Sequence, residues 1–106
     1  MKLTTLYQQK IQSIETFVNK SRLPATVEVQ ESFHERALHR QHQATCLAHC
    51  IAIFGDVDLS AADWDRLYAR AENSPHIGYN PLQQGLDVAA SAITGSSISR
   101  NRHPSA

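Results

Sequence analysis

The sequence lacks most of the features that assign a protein to a compartment or structural class. It has no apolar run approaching the roughly 20 residues that span a bilayer, so we expect no membrane association. Only two of the 106 residues are cysteines, and glycine and proline are scarce, with four residues of each. We therefore expect a globular protein with free thiols, working in the reducing cytoplasm.

The sequence also lacks a charge excess and the common catalytic motifs. Ten basic residues balance ten acidic ones, whereas dedicated nucleic-acid binders usually carry a clear basic excess. It contains no Gly-rich phosphate loop, no nucleophile elbow and no His-Glu-x-x-His zinc motif. These absences argue against an enzyme and against nucleic acid as the main ligand.

What the sequence does contain is helical periodicity. Apolar residues recur at steps of three and four in several segments, and 106 residues allow one domain with one modest core. The short links between the segments favour a bundle. The sequence therefore predicts an all-α fold, a small single-domain bundle of about four helices over 1–95 with a mobile tail over 96–106. The predicted helices are about 2–21, 32–54, 60–73 and 81–94.

Capping patterns suggest where three of these helices begin. Ser32 and Glu35 have capping-box spacing, which predicts the start of the second helix. Ser60 precedes the third helix with Asp63 three residues later, and Asn80 precedes a proline at the fourth.

The segment 25–31, just before the second helix, fits two structures. Val27 and Val29 alternate with polar residues as in a strand, but one short strand would have no partner. The segment is either an extended connector or an early helical turn.

The second helix carries the main candidate site. Its predicted core face comprises Phe33, Ala37, Ala44, Leu47, Ala48, Ile51 and Phe54. On the opposite face, six residues fall within an arc of roughly 100° when projected at about 100° per residue. This His/Cys stripe comprises Glu35, His39, His42, Cys46, His49 and Cys50.

Histidine and thiolate are the ligands that zinc and copper prefer. His42 and Cys46 are four residues apart, and His49 and Cys50 repeat the same types one turn later. A single helix cannot surround an ion, so a closed site would need another ligand, such as His76 or His103. A zinc or copper site at His42, Cys46, His49 and Cys50 is therefore an alternative interpretation of the stripe.

The same residues permit two further interpretations. Four histidines on one helix, His34 included, could act as a pH switch, since imidazole titrates near pH ~6.5. Cys46 with His42 or His49 could form the thiolate–imidazolium pair of a thiol enzyme. No oxyanion hole or third orienting group is evident, so catalysis is the weaker interpretation.

Asp56, Asp58, Asp63 and Asp65 form a short acidic stretch around the start of the third helix. A calcium loop fails there, because the sixth position is Ala61 instead of glycine and the twelfth is Leu67 instead of glutamate. Negative charge is stabilising at the N-terminus of a helix, which explains the stretch structurally.

Elimination leaves a non-enzymatic protein–protein interaction module as the expected function. Small stoichiometric inhibitors, adaptors and regulatory subunits fit this size, and inhibitors carried by phages and other mobile elements commonly share its lack of motifs. The predicted partner surface comprises Glu35, His39, His42, Cys46 and His49, with Asp56, Asp58 and Asp63. A homodimer through the same surface is also open.

Overall fold

The computed structural model describes residues 1–75 and 78–94. Within them the elements are α1 (Leu3–Ser21), α2 (Val27–Phe54), a short 3-10 helix (Leu59–Ala61), α3 (Trp64–Glu72) and α4 (Pro81–Thr94). The prediction of an all-α fold is confirmed. The expected mobile tail, 96–106, lies outside the described residues, and so do His76 and His103. Among the helices described, none combines the length and apolar character that crossing a bilayer requires.

Helix α2 begins five residues before its predicted start. Its N-cap is Thr26, whose hydroxyl oxygen accepts a hydrogen bond from the Val29 N–H at 3.3 Å. The prediction of a start at Ser32 is therefore wrong, and the open segment before it is helical from Val27 onward. Valine costs only a few tenths of a kcal/mol in a helix, so the Thr26 cap is enough to offset its strand preference although Val27 and Val29 are exposed.

Helix α3 begins later than predicted. Asp63 is its N-cap and accepts from the Arg66 N–H at 3.3 Å. Ser60 lies in the preceding 3-10 helix, where the Asp58 carboxylate accepts from its N–H at 3.1 Å and from its hydroxyl at 2.7 Å. Ser60 as the N-cap of α3 is therefore wrong, because it is itself a donor to another cap.

The predicted cap of α4 is present. The Asn80 side-chain oxygen accepts from the N–H groups of Leu82 and Gln83 at 3.1 and 3.2 Å. Its amide nitrogen donates to the Ala71 carbonyl at 2.9 Å. One buried side chain thus caps α4 and attaches its start to α3.

Helix α2 packs against α1 and also against α4. The main core forms where the second half of α2, the start of α1, α3 and α4 meet. Its buried residues are Leu3, Leu6, Leu47, Cys50, Leu59, Tyr68, Ala71, Leu82, Leu86 and Ala89. Between Tyr7 and Gln43, by contrast, Ala37 alone is buried. The far half of the α1–α2 pair is therefore a hairpin with little core of its own.

The start of α1 is held by the turn that follows α2. The Leu3 N–H donates to the Val57 carbonyl at 3.0 Å, and the Leu59 N–H donates to the Met1 carbonyl at 2.8 Å. The Thr4 N–H donates to the Asp56 carboxylate at 3.0 Å. Asp56 therefore satisfies a free N–H at the start of a helix 52 residues away.

Candidate functional site

The His/Cys stripe is divided between the surface and the core. Cys46 and Cys50 are fully buried, while Glu35, His39, His42 and His49 are exposed. The prediction that all six share one outer face is wrong, because α4 covers the cysteine edge of that face.

The predicted core face of α2 is also divided, for the same reason. Ala37, Ala44 and Leu47 are buried as predicted. Ala48 is exposed, and the other three predicted members are only half-buried. A helix with neighbours on two sides buries two narrow strips instead of one wide face.

The two cysteines lie where α2 and α4 approach each other most closely. A methyl group added at Gly85 of α4 would lie 2.5 Å from the Cys50 sulfur and 2.6 Å from the Cys46 carbonyl oxygen. The helices approach this closely because glycine has no side chain. The Cys50 thiol also donates to the Leu82 carbonyl at 3.3 Å. Both thiols therefore act as small packing groups.

Burial makes these thiols poor nucleophiles. It raises the pKa of Cys46, and burial together with the charge of Cys46 raises the pKa of Cys50 to about 12. The reactive form of cysteine is the thiolate, which is then scarce at neutral pH. The geometry gives the thiol-enzyme interpretation no support.

His42 is the exposed residue of the stripe with the most contacts. Its Nε2 atom lies 2.8 Å from the Gln84 side-chain oxygen and 3.7 Å from the Cys46 sulfur. Its ring centroid is 5.4 Å from that of Tyr79. Nε2 therefore has two polar neighbours within the chain, and its role as donor or acceptor depends on the imidazole tautomer. In residues 1–75 and 78–94, no three His, Cys, Asp or Glu side chains are grouped so as to hold a metal ion.

The three predicted acidic contacts all have partners within the chain. Asp56 accepts from Thr4, Asp58 from Ser60, and Asp63 from the backbone of Arg66. The hydrogen bonds from Ser60 also lower the pKa of the Asp58 carboxyl. Each carboxylate is exposed and caps a helix, so its presence is explained without a partner.

The structure contains an open groove between α1 and α2 that the sequence analysis missed. It has a volume of about 560 Å³. Tyr7, Ile11 and Ile14 line it from α1, and Ala44, Ala48, Ala52 and His49 are among the residues that line it from α2. We call this the alanine groove.

The three alanines lie on the opposite side of α2 from the cysteines when projected at about 100° per residue. Ala48 and Ala52 are exposed, and the α1 side chains are half-buried. Helix α2 therefore has two rows of small residues, and α4 covers only the cysteine row. The four-residue spacing of the alanines is the sequence signal that could have revealed the second row.

No protein-family model matches this chain. No curated protein and no solved structure matches it either.

Proposed function

We propose that the chain is a non-enzymatic protein–protein interaction module that binds an amphipathic helix of a larger protein in the alanine groove. A small stoichiometric inhibitor, an adaptor or a regulatory subunit would act in this way. The supporting observation is that Ala48 and Ala52 are exposed, so part of the second half of α2 lies open beside aliphatic and aromatic side chains of α1.

The packing of α4 supports a helix as the occupant of such a row. On the other side of α2, small groups at Cys46, Cys50 and Gly85 let a helix pack in close contact. Alanine side chains lose almost no conformational entropy when covered, and they allow a helix to approach at the 8–10 Å typical of helix pairs. Recognition of a helix in a groove uses apolar residues at three- and four-residue steps.

Of the surface predicted on α2, His49 is the residue that borders this groove. It supplies a polar edge to an apolar floor, as is usual at the rim of an interface. The exposed histidines His39 and His42 lie nearer the cysteine edge by helical projection. We therefore centre the proposed interface on Ala48 and His49 instead of on the whole stripe.

The proposal can be tested with a photo-crosslinking amino acid placed at Ala48. Ala69, on α3, is the matched position, because it is also an exposed alanine within a helix. A protein captured at Ala48 and not at Ala69 would be purified and recombined with the wild-type chain. We expect a stoichiometric complex that Ala48→Arg abolishes and Ala69→Arg leaves intact, with unchanged helicity in both variants.

Two results would contradict the proposal. One is a complex with that protein that is equally strong with Ala48→Arg. The other is a homodimer in sedimentation that Ala48→Arg dissociates, because a second copy would then be the occupant of the groove.

A further inference from the structure

A basic cluster surrounds two stacked aromatic rings on the hairpin formed by α1 and α2. The Phe17 and Phe33 rings have centroids 6.2 Å apart and an interplanar angle of 24°. The Arg36 guanidinium lies 6.0 Å from the Phe17 centroid and 5.7 Å from that of Phe33. The Arg40 guanidinium lies 5.8 Å from Phe17, and the Lys20 ammonium lies 5.7 Å from Phe33.

The cations of this cluster are not neutralised by nearby acids. Among the described residues, one ion pair has its charged atoms within 4.0 Å, and it joins the Met1 ammonium to Asp58. Lys20, Arg36 and Arg40 therefore have no carboxylate of the described residues within that distance. The acidic residues of α2 are Glu28, Glu31 and Glu35, and by projection they lie roughly 80° or more around the axis from the two arginines.

Lys10 adds a positive charge close enough to Arg40 for the two to repel each other. It is half-buried on α1, and its pKa is lowered by burial and by the positive charge of Arg40. A carboxylate nearby would act in the opposite direction by favouring the charged ammonium. Because three cations lie over the rings with no carboxylate within 4.0 Å, positive potential on this side of the hairpin is left for a ligand.

We propose that the basic cluster, formed by Lys20, Arg36 and Arg40 over the two rings, binds an acidic segment of the partner protein. This inference rests on the proposed function and identifies the chemistry of a second contact with the same partner. Guanidinium groups bind carboxylates through two parallel hydrogen bonds, and stacking on the rings restricts Arg36 before any partner arrives.

Nucleic acid fits this surface less well than an acidic peptide. Single-stranded nucleic acid gains much of its affinity by stacking bases on open aromatic faces. Here the Phe17 and Phe33 rings are stacked on each other, and cations lie over them. The chain is also neutral overall, so it lacks the long-range attraction to a polyanion.

The probe is a fluorescent oligoglutamate peptide, with an oligoglutamine peptide as the uncharged control. We expect the wild-type chain to bind the acidic peptide and not the uncharged one. Arg36→Gln/Arg40→Gln should weaken this binding about tenfold, because an exposed charge pair contributes up to about a factor of five in affinity. The matched variant Arg66→Gln/Arg70→Gln removes the same charge from α3, where the Arg70 guanidinium also lies over a ring, 5.4 Å from the Phe54 centroid. It should change binding less than about twofold.

Two further variants distinguish a lost contact from a folding defect in Arg36→Gln/Arg40→Gln. Arg36→Lys/Arg40→Lys keeps the charge and should retain most of the binding. Lys20→Gln alters one exposed ammonium and should weaken binding about threefold, with an unchanged circular dichroism spectrum.

Four outcomes would overturn the inference. The first is that the wild-type chain does not bind oligoglutamate, and the second is that the two double glutamine variants lose affinity equally. The third is that single-stranded DNA with the same number of charges binds more tightly than oligoglutamate. The fourth is that the chain forms a salt-sensitive dimer that Arg36→Gln/Arg40→Gln dissociates. Ala48, at the centre of the alanine groove, lies roughly 80–120° around α2 from Arg40 and Arg36 by projection, and about 12 Å or more along the axis from both. A complex abolished by Ala48→Arg would therefore preserve the proposed function even if the acidic-peptide inference failed.

Discussion

Replacing Gly85 with alanine tests the close contact between α2 and α4. In an open helix this change stabilises by about 1 kcal/mol. Here the new methyl group would lie 2.6 Å from the Cys46 carbonyl oxygen, whereas ordinary contacts begin near 3.4 Å, so the helices must separate by about 0.8 Å. Because that atom belongs to the backbone, we take the upper part of the usual overpacking range, about 3 kcal/mol. The expected net loss is about 2 kcal/mol.

Urea denaturation followed by circular dichroism measures this loss, and thermal denaturation should show a decrease of roughly 10 °C in Tm. Ala48→Gly is the control for helix propensity, because Ala48 is exposed in mid-helix, and we expect it to destabilise by about 1 kcal/mol. Adding Cys50→Ala to the Gly85 variant should relieve only the sulfur clash, since the Cys46 carbonyl stays in place. A Gly85→Ala protein as stable as the wild type would refute the close approach.

Three further predictions concern buried polar groups. Asn80→Ala should destabilise by about 2 kcal/mol in urea denaturation, about 1 from the lost cap and about 1 from the hydrogen bond to Ala71. Tyr68→Phe should destabilise by about 1 kcal/mol in the same assay, because the Tyr68 hydroxyl donates to the Asp87 carboxylate at 2.6 Å. The folded Cys50 pKa of about 12 exceeds its ordinary value of 9.0, so the unfolded chain loses this proton first. Stability should therefore fall from pH 9 toward pH 12, and Cys50→Ala should show a smaller fall.

Each of these predictions can fail in a recognisable way. An Asn80→Ala protein that loses less than about 0.5 kcal/mol would show that water replaces the side chain at both helices. Unchanged stability in Tyr68→Phe would mean that the hydrogen bond makes no net contribution. Parallel alkaline profiles for the wild type and Cys50→Ala would show that the thiol titrates normally in the folded state.

The start of α4 was predictable because its signal is local. Asn80 and Pro81 are adjacent, and the side-chain cap and the fixed proline φ act within one turn. The periodic apolar residues of α1 and α4 predicted helices in the same way, since a helical face repeats every three or four residues.

The start of α2 was not predictable from the same kind of signal. Ser32 and Glu35 have the spacing of a capping box, yet both lie inside the helix. Thr26 is the cap, but the glutamate or glutamine expected three residues later is replaced by Val29. A motif of two residues is compatible with a helix interior as well as with a helix start, and the surrounding packing decides between them.

The burial of Cys46 and Cys50 depended on a neighbour that the pattern on α2 alone does not specify. A projection assigns one inner face to a helix, and α2 has contacts on two sides. Gly85, inside an apolar helix, was the available signal of close approach to small residues. The sequence does not say which helix Gly85 faces, so this signal could not be connected to the cysteines.

The uneven distribution of the core along α2 gives one continuous helix two local stabilities. Its second half packs against α1 and α4 and buries Ala44, Cys46, Leu47 and Cys50, whereas Ala37 is the sole buried residue from Val27 to Gln43. Amide protons near the hairpin tip should therefore exchange with solvent through small local openings, while those around Leu47 should exchange only when the whole domain unfolds. A partner bound on the hairpin would slow exchange most at the tip. Amide exchange in the first half of α2, which folding alone stabilises least, would therefore report the binding of a partner there.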